Sequence, residues 1–202
     1  MQKKGVLFVL SGPAGSGKGT VIRRLLKKQP DIKLSISMTT REPRDGEIPN
    51  ESYYYVTHEE FERRIANNEF FEYAEYSGNY YGTLNSEVID FLEKGRDVIL
   101  EIEVVGAMKV KAKHPDAVTV MLTPPNAEIL EKRLRGRNTE NEEQILKRLA
   151  RSKEEIAHLE EYEYSIVNED NKEDECAEEF YSIIKASHCK TAFTKSIIKN
   201  FI

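Results

Sequence analysis

An α/β fold with a central parallel sheet flanked by helices is predicted by three features of the sequence. The apolar run Val6-Leu7-Phe8-Val9-Leu10 stops at the stretch Ser11-Gly12-Pro13-Ala14-Gly15-Ser16-Gly17-Lys18-Gly19-Thr20 and resumes as a helical pattern. That is the order of a strand, a phosphate-binding loop and a helix. Apolar runs over residues 97–103 and 117–122 are joined by a helical segment at 105–113, a strand–helix–strand unit whose two strands lie parallel.

Length and composition bound the rest. The chain has 202 residues, enough for one sizeable core with a small insertion. Hydrophobic residues make up 39% and charged residues 32%, and no apolar run reaches the ~20 residues that span a bilayer, so a membrane protein is not expected. Met1-Gln2-Lys3-Lys4 leads straight into the first strand without a signal-peptide pattern, so the expected compartment is the cytosol. Cys176 and Cys189 have no C-x-x-C or histidine partner, which argues against a disulfide framework or a zinc site. The net charge of −5 argues against a nonspecific nucleic-acid binder. Whether the chain is a monomer or a homo-oligomer is left open.

Taken in order, Val21, Ile22, Leu25 and Leu26 give the helix after the loop one apolar face, Arg23, Arg24, Lys27 and Lys28 lie opposite, and Pro30 ends it. Residues 34–37 read as a short alternating strand, 39–47 as a turn-rich polar segment, and 53–56 as a strand. Thr57-His58-Glu59-Glu60 reads as a capping box opening a helix, with His58 on the surface. Residues 70–76 form a strand entering the turn Ser77-Gly78-Asn79. A helix at 85–94 follows, with Val88, Ile89 and Leu92 inward and Gly95 closing it. After the strand at 117–122 come a short helix carrying Ile129, Leu130 and Leu134, a polar break at 135–140, and a long charged helix at 141–161. The break reads as a mobile arginine-bearing flap or as an ordinary loop. A strand at 164–167 and a helix at 174–185, with Cys176, Phe180, Ile183 and Ile184 inward, complete the core. In the tail, Phe193, Ile197, Ile198 and Phe201 have helical spacing.

The glycines of the loop let backbone N–H groups close around phosphate oxygens, the following helix points its positive end at the same anion, and Lys18 neutralises the outer phosphates. Gly12, Pro13, Ala14, Gly15, Ser16, Gly17, Lys18, Gly19 and Thr20 are thus the triphosphate-binding set. Gly19 occupies the slot of the usual Mg²⁺-binding hydroxyl, which moves to Thr20 or Ser16. Farther on, Ser37, Arg41, Arg44 and Tyr53 offer hydroxyl and guanidinium groups suited to a second phosphate dianion. Glu72 and Thr83 suit the polar edge of a base, and a carboxylate accepts from the adjacent ring N–H and amino donors that guanine has and adenine lacks. Glu101 and Glu103 stand at the C-terminal end of a buried strand, where open parallel sheets bind ligands.

On these residues the sequence resembles the guanylate kinase family. The resemblance is carried by Gly12-Pro13-x-Gly15-x-Gly17-Lys18-Gly19-Thr20, Ser37-x-Thr39-Thr40-Arg41-x-Pro43-Arg44-x-Gly46-Glu47, Asn68-Glu69-Phe70-x-Glu72, Gly78-Asn79-Tyr80-Tyr81-Gly82-Thr83, Arg133-Leu134-x-Gly136-Arg137 and Lys147-Arg148-Leu149. It implies ATP-dependent phosphorylation of GMP, and of dGMP, with Mg²⁺, in a phosphate-loop core with an inserted GMP-binding subdomain and a short helical lid. The implied parts are core at 1–33, GMP subdomain at 34–96, core at 97–125, lid at 126–150, and core with tail at 151–202. It further implies that Ser37, Arg41, Arg44, Tyr53 and Tyr81 hold the GMP phosphate and that Glu72 and Thr83 read guanine. Arg137 and Arg148 then meet the transferring phosphoryl group. Glu101 and Glu103, where the family often has aspartates, join the acceptor set, Val105 replaces a frequent glutamine, and Asn138 replaces a lid glycine. Two other readings stay open: a non-catalytic guanylate-kinase-like module that binds an acidic or phosphorylated peptide, and a kinase for another nucleotide or small metabolite.

Overall fold

The computed structural model describes residues 4–44, 46–76, 78–136 and 141–191. Two sheets organise it. The larger is built from β1 (Leu7–Ser11), β2 (Lys33–Leu34), β7 (Val98–Glu101), β8 (Val118–Thr123) and β9 (Tyr164–Val167), in the order β2-β7-β1-β8-β9. Every neighbouring pair is parallel, with Leu7 opposite Val98, Phe8 opposite Val118 and Val120 opposite Tyr164. The predicted fold class is the observed one.

Because successive strand residues face opposite sides, β1 serves two cores at once. Phe8 and Leu10 pack with Val21, Ile22 and Leu25 of α1 (Lys18–Lys28) and with Cys176, Phe180 and Ile184 of α7 (Glu173–Ser187). Leu7 and Val9 pack on the other face with Val104, Ala107 and Val110 of α4 (Val104–Lys113). Phe180 is fully buried and meets the Phe8 ring edge-on at 6.3 Å.

The smaller sheet runs β4-β3-β6-β5, from β3 (Ser37–Thr39), β4 (Tyr54–Tyr55), β5 (Phe70–Tyr76) and β6 (Asn79–Leu84). It is mixed: β3 and β4 are parallel, while β6 is antiparallel to both β3 and β5. Phe61 of α2 (His58–Ala66) fills its outer face, stacked on Phe70 at 4.3 Å and on Tyr80 at 5.1 Å. Tyr80 is thereby packed as a half-buried aromatic, its ring against Phe61 and its polar end free to meet solvent. A bulge between Phe70 and Glu72 breaks the strict alternation of β5. One extra residue lets Phe71 join the apolar cluster of the larger sheet while Glu72 faces the cavity between the sheets.

Several expectations are corrected. Residues 34–37 are not one strand: Leu34 ends β2 in the larger sheet and Ser37 begins β3 in the smaller, so the chain changes sheets there. Thr57 caps α2 by accepting from the Glu60 N–H, yet Glu60 does not complete a capping box, because its carboxylate is held by Arg63 and Arg64. Ile89 of α3 (Asn85–Glu93) is 41% exposed rather than inward. The long helix α6 ends earlier, running Glu142–Ala157 with a single 3₁₀ turn at Leu159–Glu161, and its capping box is made by Asn141 and Gln144. The short helix before it, α5, spans Ala127–Arg135. Arg137, Asn138 and the tail positions Phe193, Ile197, Ile198 and Phe201 lie outside the described residues.

Replacing Phe180 by Ala removes a ring sealed between the sheet and its helices. The expected cost is about 3–5 kcal/mol, read as a fall in the urea midpoint without a change in slope; a loss below about 1 kcal/mol would contradict this packing.

Candidate active site

A cavity of about 940 Å³ separates the C-terminal edge of the larger sheet from the smaller sheet. One wall is the phosphate loop. Gly12, Gly15 and Gly17 have φ of 147°, 94° and 94°. A Cβ on Gly12 would sit 2.0 Å from the Leu122 carbonyl oxygen, so only glycine lets the loop pass that close to β8. Lys18 donates to the Gly12 carbonyl at 2.6 Å and to that of Pro13 at 3.4 Å, which curls its ammonium over the loop. Ala14, Gly15, Gly17, Lys18, Gly19 and Thr20 line the cavity, while Gly12 and Pro13 sit beneath. Between the two hydroxyls left open for a metal, the fold separates them. Ser16 is fully buried with its Oγ unpartnered, whereas Thr20 lines the cavity and accepts from Arg23 at 3.1 Å.

The loop is braced from behind by a residue that the sequence reading missed. Asn168 follows β9, is 2% exposed, and donates from Nδ2 to the Ser16 carbonyl at 2.7 Å. Arg133 of α5 in turn donates to the Asn168 carbonyl at 2.8 Å and to Asp170 at 2.8 Å. The same amide lies 2.3 Å from where a Gly17 Cβ would stand. The sequence signal for Asn168 was only its position, just past a strand's C-terminal end.

The opposite wall is the smaller sheet. Its register places Ser37, Thr83 and Glu72 side by side across β3, β6 and β5. Glu72 is 5% exposed and Thr83 fully buried, and the Thr83 hydroxyl donates to Glu72 Oε1 at 2.9 Å. Burial pushes Glu72 up to about 7, against the pull of the Thr83 hydroxyl and N–H and of Lys109 and Lys113. The one proton of the Thr83 hydroxyl is thus placed on Glu72, which fixes the orientation of that carboxyl. Behind Glu72, a Cβ on Gly106 would lie 3.3 Å from Oε2.

Arg41, Arg44, Tyr53 and Tyr81 gather at the rim with Ser37. Arg41 is held by Glu47, NH1 to Oε2 at 3.0 Å and NH2 to Oε1 at 2.9 Å, and lies over the Tyr53 ring at 5.4 Å. Its Nε is buried without a partner. Burial works against the Arg41 charge, but the Glu47 hydrogen bonds and charge outweigh it and its pKa is raised. For Glu47, burial opposes ionisation while bonds from Arg41, the Arg44 N–H and Tyr55 prevail, bringing it down to about 2. Burial, with the Glu101 charge adding, pushes Tyr53 up to about 12. Glu47 was part of the family pattern, but its role as the holder of Arg41 was not read from the sequence.

Between the walls, Glu101 is raised by burial, with Lys18 opposing and Glu103 adding. Glu155 of α6, also missed, is 8% exposed, and burial and the neighbouring Glu103 carboxyl hold its pKa up. Arg151 reaches both, Glu155 at 3.2 Å and Glu103 at 3.9 Å. Arg148 lines the cavity from the same helix, and Val105 is an exposed part of its floor. The cavity thus brings together every expected site residue except Arg137, which lies outside the described residues, with Gly12, Pro13, Ser16 and Thr83 one layer behind its surface.

Residues 4–187 match the protein-family model for guanylate kinase. The chain is 48% identical to a guanylate kinase of Lactococcus lactis subsp. lactis over 93% of its own length and 91% of that relative. It is 46% identical to one of Streptococcus thermophilus over 100% of its length and 96% of that relative. Among solved structures, it resembles guanylate kinase from Anaplasma phagocytophilum, with a TM-score of 0.78 and 34% identity, covering 94% of this chain and 89% of that one.

Asn168→Ala should weaken binding of a nucleoside triphosphate about tenfold or more, because the Ser16 carbonyl loses its buried donor and such a group costs about 1–3 kcal/mol when left unpaired. Calorimetric titration of the variant checks this; unchanged affinity would show that the loop holds its shape without the brace.

Proposed function

The chain belongs to the guanylate kinase family and transfers the γ-phosphoryl group of ATP to GMP, and from that premise we propose how its residues divide the work. ATP lies on the phosphate loop, with its phosphates against the amides of residues 12–20, at the positive end of α1 and beside Lys18. GMP lies on the smaller sheet. Ser37, Arg41, Arg44, Tyr53 and Tyr81 hold its phosphate, and Glu72, oriented by Thr83, accepts from the ring N–H and amino group of guanine. Arg137 and Arg148 approach the phosphoryl group from the lid side. The chain is read as core at 1–33, 97–125 and 151–202, GMP subdomain at 34–96 and lid at 126–150, acting in the cytosol, with dGMP as a second acceptor.

The observation that carries this reading is the buried Glu72 carboxyl facing Lys18 across one cavity. A carboxylate desolvated to that degree gains most from a partner with two parallel N–H donors.

The reaction needs positioning and charge stabilisation more than a covalent partner. A GMP phosphate oxygen attacks the γ-phosphorus in line, the bond to the bridging oxygen breaks, and ADP leaves. Lys18 and the loop amides take up charge on the leaving side, and the arginines of the lid side take it up on the transferring group. Arg41 works through Glu47: its fork is fixed in place before the acceptor arrives, so little orientation is left to be lost on binding.

The donors near Lys18 fit Mg²⁺, because they are hard oxygens: the Thr20 hydroxyl, with a lone pair beyond its bond from Arg23, and the Glu101 and Glu103 carboxylates, all on the cavity wall. Thr20 would hold the ion, with the two glutamates acting through water. When bound, the ion would supply neutralisation of the charge on the triphosphate.

Two activity measurements test the reading. Lys18→Ala should abolish ADP release with ATP and GMP while leaving the melting temperature unchanged; near-normal turnover would remove the loop from the mechanism. In a panel of GMP, dGMP, AMP, UMP and CMP, kcat/KM should favour GMP over AMP by about 10⁴, since a site built to bond polar groups rejects an analogue that lacks them. Glu72→Gln should shrink that ratio, and an unchanged ratio would show that another residue reads the base.

A further inference from the structure

The two sheets are joined by a connection that is almost absent. Ser35 still bonds into the larger sheet, its N–H donating to Ile99 at 3.0 Å, and Ser37 already pairs with Thr83 in the smaller one. Ile36 is the single residue between them. Its N–H donates to Glu87 Oε2 at 3.4 Å.

Glu87 belongs to the first turn of α3, the helix by which the chain leaves the smaller sheet on its way back to β7. Its carboxylate reaches three other pieces of the molecule. Lys33 of β2, in the larger sheet, lies 3.0 Å from Oε2. The Tyr54 hydroxyl of β4, in the smaller sheet, donates to Oε1 at 3.0 Å. The third is the Ile36 N–H on the outgoing connection. The Glu87 side chain is only 14% exposed and that of Lys33 22%, so the pair is sheltered from solvent screening. Burial and Glu87 also raise the Tyr54 pKa, in keeping with a hydroxyl that stays a donor.

A carboxylate at a helix N-terminus is ordinarily explained by the helix dipole. That account does not require bonds to two sheets and to the residue between them. We propose that Glu87 is a positioning residue: it ties both connections of the smaller sheet to the larger one and so sets the distance and angle between the acceptor phosphate and Lys18. It touches neither substrate. The proposal rests on the reading that GMP is held by the smaller sheet and ATP by the larger.

The consequence is specific. The residues proposed to hold GMP are carried by the smaller sheet and by the segment between β3 and β4, and those for ATP by the loop and helix that follow β1, so loosening the tie should leave each binding step intact and misalign the pair. A displacement of about 1 Å can cost about 10²-fold in rate. The test is Glu87→Ala, with Glu87→Gln and Tyr54→Phe as milder versions. Three quantities are read on each: ATP and GMP affinities measured separately by calorimetry, kcat with both saturating, and amide exchange of residues 34–39. The expected result for Glu87→Ala is a kcat at least tenfold lower, both affinities within twofold of the parent, and faster exchange at 34–39 with the phosphate loop unaffected. Glu87→Gln, which keeps an acceptor but leaves the Lys33 charge unmatched, and Tyr54→Phe should fall between. A kcat within twofold in all three variants would overturn the proposal. So would a loss of GMP affinity matching the loss of kcat, which marks a merely structural role. Failure of the acceptor reading itself would register separately, as unaltered base preference in Glu72→Gln.

Discussion

A carboxyl group removed from water must be neutralised, bonded or both, and the burial of Glu72 is the constraint to which the smaller sheet and its surroundings answer. The bulge in β5 turns Glu72 toward the cavity without giving up Phe71 to solvent. The register of β6 puts the Thr83 hydroxyl against one oxygen, and the missing side chain at Gly106 leaves room at the other. Among the described residues no cation bonds it directly; Lys109 and Lys113 act only at a distance, and burial raises its pKa to about 7. Such a group is costly to keep charged and therefore selective about what makes charging favourable. A base edge with two parallel N–H donors does so; an edge presenting a lone pair does not.

The larger sheet solves the complementary problem for phosphate. It carries the loop at the end of β1, packed so closely on β8 that Gly12 admits no side chain, and held from the rear by Asn168. One wall of the cavity is thus built to favour negative charge, and on the other the surroundings of Glu72 disfavour it at that carboxyl unless the right donors arrive. Chemistry between two substrates then depends on how the walls are set relative to one another, which the single-residue passage at Ile36 and the Glu87 contacts govern.

What could be read from the sequence was what is local in it. The loop declares itself through glycines and a lysine within nine residues of chain, and the strands of the larger sheet through unbroken apolar runs. Glu72 and Thr83 were identified by type and by the turn between them, and pairing across β5 and β6 brings them together. The switch of sheets at 34–37 left no mark, because one residue of passage does not disturb an alternating pattern. Asn168 and Ser16 are 152 positions apart, and Lys33 and Tyr54 meet at Glu87 only in the folded chain.

The central claim, that the desolvated Glu72 carboxyl reads guanine as a carboxylate, predicts a proton. Below its pKa near 7, Glu72 carries a proton, and the guanine donors favour the ionised form, so GMP binding should expel it. The GMP phosphate ionises in the same range, so the informative quantity is the difference between the parent and Glu72→Gln, which cannot ionise. Calorimetry at saturating GMP in buffers of different ionisation enthalpy should give nearly one extra proton released by the parent at about pH 6, falling toward none at about pH 8.5. Equal proton release by the two proteins across that range would contradict the account.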